Sequence, residues 1–268
     1  MYLILVIFGL FISTDFDLSD ILLEHPAGQF AHLHTNLNEY STLPDTIYEI
    51  YHFHGASHVI TEQFDRIDIP GLICNIHLGS FSSPYRIYFS DSTRFDQIIS
   101  TVGKTLADSL GIYKLPERIR ILTSFSAGYA AVREILRHPT YYSEIDAIVL
   151  ADGLHCNSDS VRMQKQMKDF VQFARDAAAG EKMMLITHSS IQTSGYQSTT
   201  QTTQYLIDHV DMQIDSLNQN DVIGETFVQY KKGNLLITGY RGDDGSSHMR
   251  HFYGIYVLLN RLIRLQNL

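Results

Sequence analysis

Cysteine is scarce in this chain. Of 268 residues only two are cysteine, Cys74 and Cys156, and neither belongs to a C-x-x-C pair. That excludes a thiolate metal site and a disulfide-built scaffold. One disulfide would be available after export, but spacing alone favours free, buried thiols. Positive charge is also short, with 20 Lys and Arg against 29 Asp and Glu and a net charge of −9. Nucleic-acid binders carry a basic face, so that class is excluded. Internal repeats, low-complexity tracts and a domain linker are all missing.

The N-terminus lacks something too. Met1 to Ser13 is almost unbroken in its apolar character, yet no basic residue precedes the run and no A-x-A-like cleavage site follows it. The run is too short to span a bilayer and matches the core of a signal peptide. Residues 1–13 are therefore read as a candidate signal peptide, which makes the protein secreted or periplasmic, with no stable membrane span after processing. The competing reading is a buried first strand in a cytoplasmic protein.

What is present is a globular composition, 44% hydrophobic, in a chain long enough for one large α/β core. The organising stretch is Ile119 to Ala131. A short, β-branched apolar run ends in Ser124-Phe125-Ser126-Ala127-Gly128, and a helical pattern over Ala130 to Arg137 follows at once. Strand, serine-bearing turn, helix is the context in which a G-x-S-x-G-like motif carries meaning. The rival reading of Ser126 is an ordinary helix N-cap.

Around this stretch, Thr46–Phe53, Gly71–His77, Ile145–Ala151, Lys182–Thr187, Phe227–Tyr230 and Leu235–Tyr240 read as strands. Phe30 to His34 alternates in the manner of another. Arg94–Leu110 (ended by Gly111), Val161–Ala179, Thr202–Leu217 and Met249–Leu265 read as helices. Gly79–Thr93 reads as a loop. Most strands are apolar on both faces, which predicts a mainly parallel central sheet with helices on both faces, an α/β three-layer sandwich. In such sheets chemistry gathers at the carboxyl ends of the strands. His52, His54, Ser126, Asp152, His155, His188 and His248 stand there.

A serine hydroxyl needs a histidine to take its proton and a carboxylate to orient that histidine. Ser126, Asp152 and His248 occur in that order, each just past an apolar strand. On these residues, from roughly Thr46 to Leu265, the chain resembles the α/β-hydrolase superfamily, residues 14–268 forming one such domain. The resemblance implies that Ser126 attacks, Asp152 orients and His248 is the general base, with His251 its nearest competitor. It implies an oxyanion loop beginning at His54-Gly55, with amide donors at Ala127 and near Gly55 or Ala56. His155 and His188 are expected to line the pocket. Two departures stand out: Ser124 replaces the elbow's first glycine, and the acid follows the strand one earlier than is usual. Asp243 and Asp244 are the alternative acids.

The implied activity is that of a serine hydrolase of the carboxylesterase kind, acting on a small-molecule or glycan ester, with no cofactor. The loops 80–93 and 188–201 would shape its pocket, and the absence of a long insertion leaves that pocket open. Two rivals remain. The H-x-H-x-x-x-H run of His52, His54 and His58 suits a metal-dependent hydrolase. Alternatively, a hydrolase-like scaffold has become a non-catalytic binding protein.

Overall fold

The structure, a computed structural model, describes residues 13–23, 29–215 and 220–266. The expected signal peptide therefore lies outside the described residues, apart from Ser13.

The chain opens with β1 (Asp15–Asp17), α1 (Ser19–Leu22) and β2 (Phe30–Thr35). It enters the sheet's interior with β3 (Thr46–Phe53), α2 (Ser57–Phe64) and β4 (Gly71–His77). Two helices follow, α3 (Ser82–Phe89) and α4 (Arg94–Leu110). Next come β5 (Glu117–Phe125), a 3-10 turn (Ser126–Gly128), α5 (Tyr129–Leu136), α6 (Pro139–Glu144) and β6 (Ala147–Ala151). The short β7 (Cys156–Asn157) leads to α7 (Ser160–Ala178) and β8 (Met183–His188). The chain closes with β9 (Tyr196–Gln197), α8 (Thr199–Val210), β10 (Gln213–Ile214), β11 (Thr226–Lys232), β12 (Leu235–Tyr240), α9 (Gly245–Tyr253) and α10 (Ile255–Gln266).

Ten strands form one sheet in the order β1-β2-β4-β3-β5-β6-β8-β12-β11-β10. The run from β4 to β12 is parallel throughout, and antiparallel strands complete both edges. β6 shows why these strands read as continuous apolar runs. All five of its residues are fully buried. Ile148 and Leu150 enter the core shared with α3, α4, α5, α7 and α8. Ala147, Val149 and Ala151 enter the core shared with α2, α9 and α10. Successive side chains thus serve opposite layers, as the two-residue period of a strand requires. Helices cover both faces, as the sequence predicts.

The differences are local. The expected loop 79–93 contains α3. Pro84 sits in its first turn, where the missing N–H costs nothing, and Tyr85 and Phe89, one turn apart, are buried. Helix α2 was not expected; its Ile60 and Phe64 bury in the same way. Helix α8 starts three residues earlier than the pattern suggests, at a Ser198 N-cap closed by a capping box with Gln201, and it ends at Val210. The expected end, Leu217, lies outside the described residues. The single closing helix is broken at Gly254, where a Cβ would come within 2.3 Å of Ile223. The first of the two helices begins at Gly245, four residues earlier than the pattern suggests, so His248 lies in the first turns of α9, ahead of α10. Cys74 and Cys156 are both buried and free.

Candidate active site

Four non-glycine residues among those described have left-handed backbone: His54 (φ 79°), Ser126 (φ 47°), Asp152 (φ 44°) and Asp211 (φ 55°). The first three follow directly on the carboxyl ends of β3, β5 and β6, which are neighbours in the sheet. Left-handed backbone at a residue with a Cβ costs free energy and persists only where the surroundings enforce it.

Those surroundings are visible around Ser126. An N-cap serine has extended backbone and its oxygen accepts from the turn ahead. Ser126 has neither feature: its φ is positive, and no side-chain cap bond forms at the 3-10 turn or at α5. Glycines let the chain pack around it. A Cβ on Gly128 would lie 2.0 Å from the carbonyl oxygen of Phe53, so only glycine lets the turn press against the end of β3. Ser124 occupies the place of the elbow's other small residue. Its side chain fits, fully buried, but its hydroxyl has no hydrogen-bond partner among the described residues.

His248 Nδ1 donates to Asp152 Oδ2 at 2.7 Å. The His248 ring packs on Phe125, with centroids 4.5 Å apart. The residue before the serine thus holds the histidine's face while Asp152 holds its edge. Asp152 is almost completely buried. Its Oδ1 accepts from the Ser189 amide at 2.9 Å and from the Thr199 hydroxyl at 2.8 Å. Burial alone would raise its carboxyl, but the His248 hydrogen bond, the adjacent His251 ring and the Ser189 amide outweigh it and hold the group well below the usual carboxylate range. Asp244 is engaged elsewhere: it caps α9, accepting from the Ser247 amide at 2.7 Å and the Ser247 hydroxyl at 2.6 Å. Asp243 lines the cavity, but the carboxylate bonded to His248 Nδ1 is that of Asp152. Of the three candidate acids, Asp152 is the one bonded to His248.

Several other histidines at this end of the sheet are buried or half-buried and pushed toward neutrality. Burial lowers His52 to about 3, and burial with the nearby His77 lowers His54 to about 4. Burial likewise brings His251 down to about 4. His52 spends both ring nitrogens inside the protein, on the Thr123 hydroxyl at 2.7 Å and the His54 carbonyl at 2.9 Å. His54 faces the Tyr85 hydroxyl at 3.0 Å, and His58 is exposed on α2. No three His, Cys, Asp or Glu side chains among the described residues are placed to share a metal ion. The three histidines of the H-x-H-x-x-x-H run thus have separate surroundings: His52 is packed in the interior, His54 is half-buried against Tyr85, and His58 is on the surface. His251 is buried against the Thr187 hydroxyl at 2.8 Å and does not compete with His248 for Asp152.

A cavity of about 330 Å³ is lined by Ser126, Asp152 and His248, and also by His155 and Tyr196. A second, of about 640 Å³, adjoins it and shares Ser126, His155 and Tyr196. Ala127 lines the second cavity, and its amide is among the first of a helix, where N–H groups lack intrahelical partners. His188 lies outside both walls, buried between Ser189, Thr200 and Phe227. In the loop after β3, the Gly55 amide donates to His77 Nδ1 at 3.3 Å, while Ala56 opens α2. Ser189 and Thr199, which hold Asp152 Oδ1, carry no mark of that role in the sequence. Thr199 was visible only as one of several Ser and Thr residues in a polar segment.

No protein-family model matches the chain, and no curated protein matches it in sequence. Solved structures do match. The ferric enterobactin esterase of Salmonella typhimurium superposes with a TM-score of 0.50 at 10% identity, over 88% of this chain and 55% of that one. The chain has the α/β-hydrolase fold. Est1E from Butyrivibrio proteoclasticus is also similar, with a TM-score of 0.46 at 8% identity over 94% of this chain and all of that one. So is the siderophore hydrolase EstB from Aspergillus fumigatus, with a TM-score of 0.44 at 9% identity over 90% of this chain and 96% of that one. Within the α/β-hydrolase fold, Ser126 stands at the strand-to-helix turn after β5, and the Asp152–His248 bond joins the end of β6 to α9.

Proposed function

We propose that the protein is a serine hydrolase that cleaves a carboxylic ester through an acyl-enzyme intermediate. The observation that carries this reading is the 2.7 Å bond from His248 to a buried Asp152, in a cavity shared with a serine in left-handed backbone. Asp152 accepts from Nδ1–H, which leaves Nε2 with its lone pair free to act as a base. In the proposed reaction Ser126 Oγ attacks the ester carbonyl carbon and Nε2 takes the hydroxyl proton. The carbonyl oxygen becomes an oxyanion, stabilised by the Ala127 amide and a donor from the loop after His54. Collapse expels the alkoxide, which receives that proton from Nε2. Water then repeats the sequence on the acyl-enzyme and releases the acid.

Ester hydrolysis also accords with the esterases and hydrolases that share the fold. Among the described residues no helix is long and apolar enough to cross a membrane. The apolar leader supports export, which N-terminal sequencing of protein recovered outside the producing cell would test. The hydrolase reading is tested with Ser126→Ala, which should abolish both turnover of short aryl esters and labelling by a fluorophosphonate. A variant that labels and turns over like the wild type would refute it.

A further inference from the structure

Ser126 stands between two clefts of opposite charge. The smaller, which holds His248, includes Asp243 and Asp244 in its wall and no Lys or Arg among its described lining residues. The larger carries Arg86 and Arg133 and no Asp or Glu among its described lining residues. In a chain of net charge −9, such a cationic cleft is not the average surface.

Arg133 is built into the protein. It lies on α5, directly behind the serine turn, and is only 5% exposed. Its guanidinium lies over the Tyr129 ring, 5.4 Å from the centroid. Its Nε is 3.5 Å from Glu134 Oε1, but Glu134 also takes Arg137 on its other oxygen, so one carboxylate is shared by two guanidinium groups. Burial keeps the Tyr129 phenol and the Cys156 thiol on the same wall neutral, the latter raised to about 11. Arg86, on α3, is exposed at the same cleft. Asn157 and Gln166 add neutral polar groups.

The chemistry assigns the two clefts to the two halves of an ester. The group that protonates the leaving alkoxide must reach it, so the alcohol half lies in the cleft that holds His248. The acyl half then extends the other way, past the Ala127 amide. We infer that the substrate's acyl group carries a carboxylate, recognised by Arg133 and Arg86, so that the preferred substrates are monoesters of dicarboxylic acids. A planar guanidinium is suited to a carboxylate, and the partly desolvated setting of Arg133 strengthens the pairing. This rests on the serine hydrolase reading and adds the class of acid released.

The test uses 4-nitrophenyl monoesters of succinic, glutaric and adipic acid, each beside the neutral acyl ester of matched length. A third arm places the carboxylate on the alcohol, as 4-carboxyphenyl against phenyl butyrate. The wild type should favour at least one acyl-carboxylate ester by about 10- to 100-fold in kcat/KM, the range of a hydrogen bond to a charged group, with no gain from a carboxylate on the alcohol. Arg133→Gln and Arg86→Gln should each pull that ratio toward one. Arg86 is exposed, so its variant retains the test if Arg133→Gln does not fold. A ratio near one for all three acids, or a ratio untouched in every variant that folds, overturns the inference and leaves the hydrolase reading standing. If neither charged nor neutral esters are cleaved, the hydrolase reading falls, and this inference with it.

Discussion

Gly153 passes so close to Ser126 that a Cβ there would lie 2.7 Å from the serine's amide nitrogen and 2.5 Å from its carbonyl oxygen. Asp152 and Ser126 thus stand on backbones in contact. The turn that holds the acid braces the turn that holds the serine. Gly153→Ala must push the two apart, since backbone atoms cannot rotate away as a side chain would. The variant should lose about 1–3 kcal/mol of stability to overpacking. Displacement of the serine should slow fluorophosphonate labelling about tenfold or more. Labelling at the wild-type rate in a folded protein would contradict the bracing role.

The Asp152–His248 bond predicts a graded pair of variants. Asp152→Asn keeps the shape but presents an amide to His248 Nδ1, which disfavours the required tautomer; kcat should fall by about 10³- to 10⁴-fold. Thr199→Val removes only the hydroxyl that bonds Asp152 Oδ1. Loss of one hydrogen bond to a charged group is worth about 1.5–3 kcal/mol, so the kcat loss should be distinctly smaller than that of Asp152→Asn. Steady-state kinetics on one aryl ester ranks the two, and an equal loss would show that Thr199 does more than hold the carboxylate.

Ser124 gives a prediction of opposite sign. Its buried hydroxyl has no partner among the described residues, and an unsatisfied buried polar group costs about 1–3 kcal/mol. Ser124→Ala should therefore raise stability by about 1 kcal/mol without touching the turn's backbone. Chemical denaturation measures this directly. A less stable variant would mean that the hydroxyl is satisfied in solution.

Stability should also depend on pH in a stated direction. His52, His54 and His251 are held by burial at about 3, 4 and 4, below the ordinary histidine value of about 6.5. As pH falls below that value, the unfolded chain takes up protons that the folded chain refuses. The stabilising contribution is complete above about pH 6.5 and declines as pH drops toward 4, by up to about 1.4 kcal/mol per pH unit for each ring. Denaturation midpoints at pH 7 and pH 5 decide the matter; equal midpoints would contradict the buried, neutral assignment.

The layered architecture was legible because it depends on local pattern. Thr46–Phe53, Gly71–His77 and Leu235–Tyr240 match their expected bounds as strands, and Arg94–Leu110 ends at Gly111 in left-handed backbone, as its sequence suggests. Helices α2 and α3 were missed because each is short and buries few side chains. In α3 an exposed Ile87 blurs the apolar stripe that Tyr85 and Phe89 form.

Sequence alone placed Ser126 and Asp152 at strand ends, because an apolar run and the polar residue that stops it are neighbours in the chain, and it placed His248 in the segment that follows the last strand. It could not choose among Asp152, Asp243 and Asp244, nor tell a strained serine from a helix cap. Those depend on contacts between distant segments. The Asp152–His248 bond joins residues 96 apart, and the serine turn, with its positive φ at Ser126, is packed between the ends of two neighbouring strands, Gly153 lying against Ser126 on one side and Phe53 against Gly128 on the other. Arg86 and Arg133 likewise line one cleft only because α3 and α5 pack together. Side-chain periodicity is written in sequence, but the approach of one strand end to another is a property of the assembled sheet.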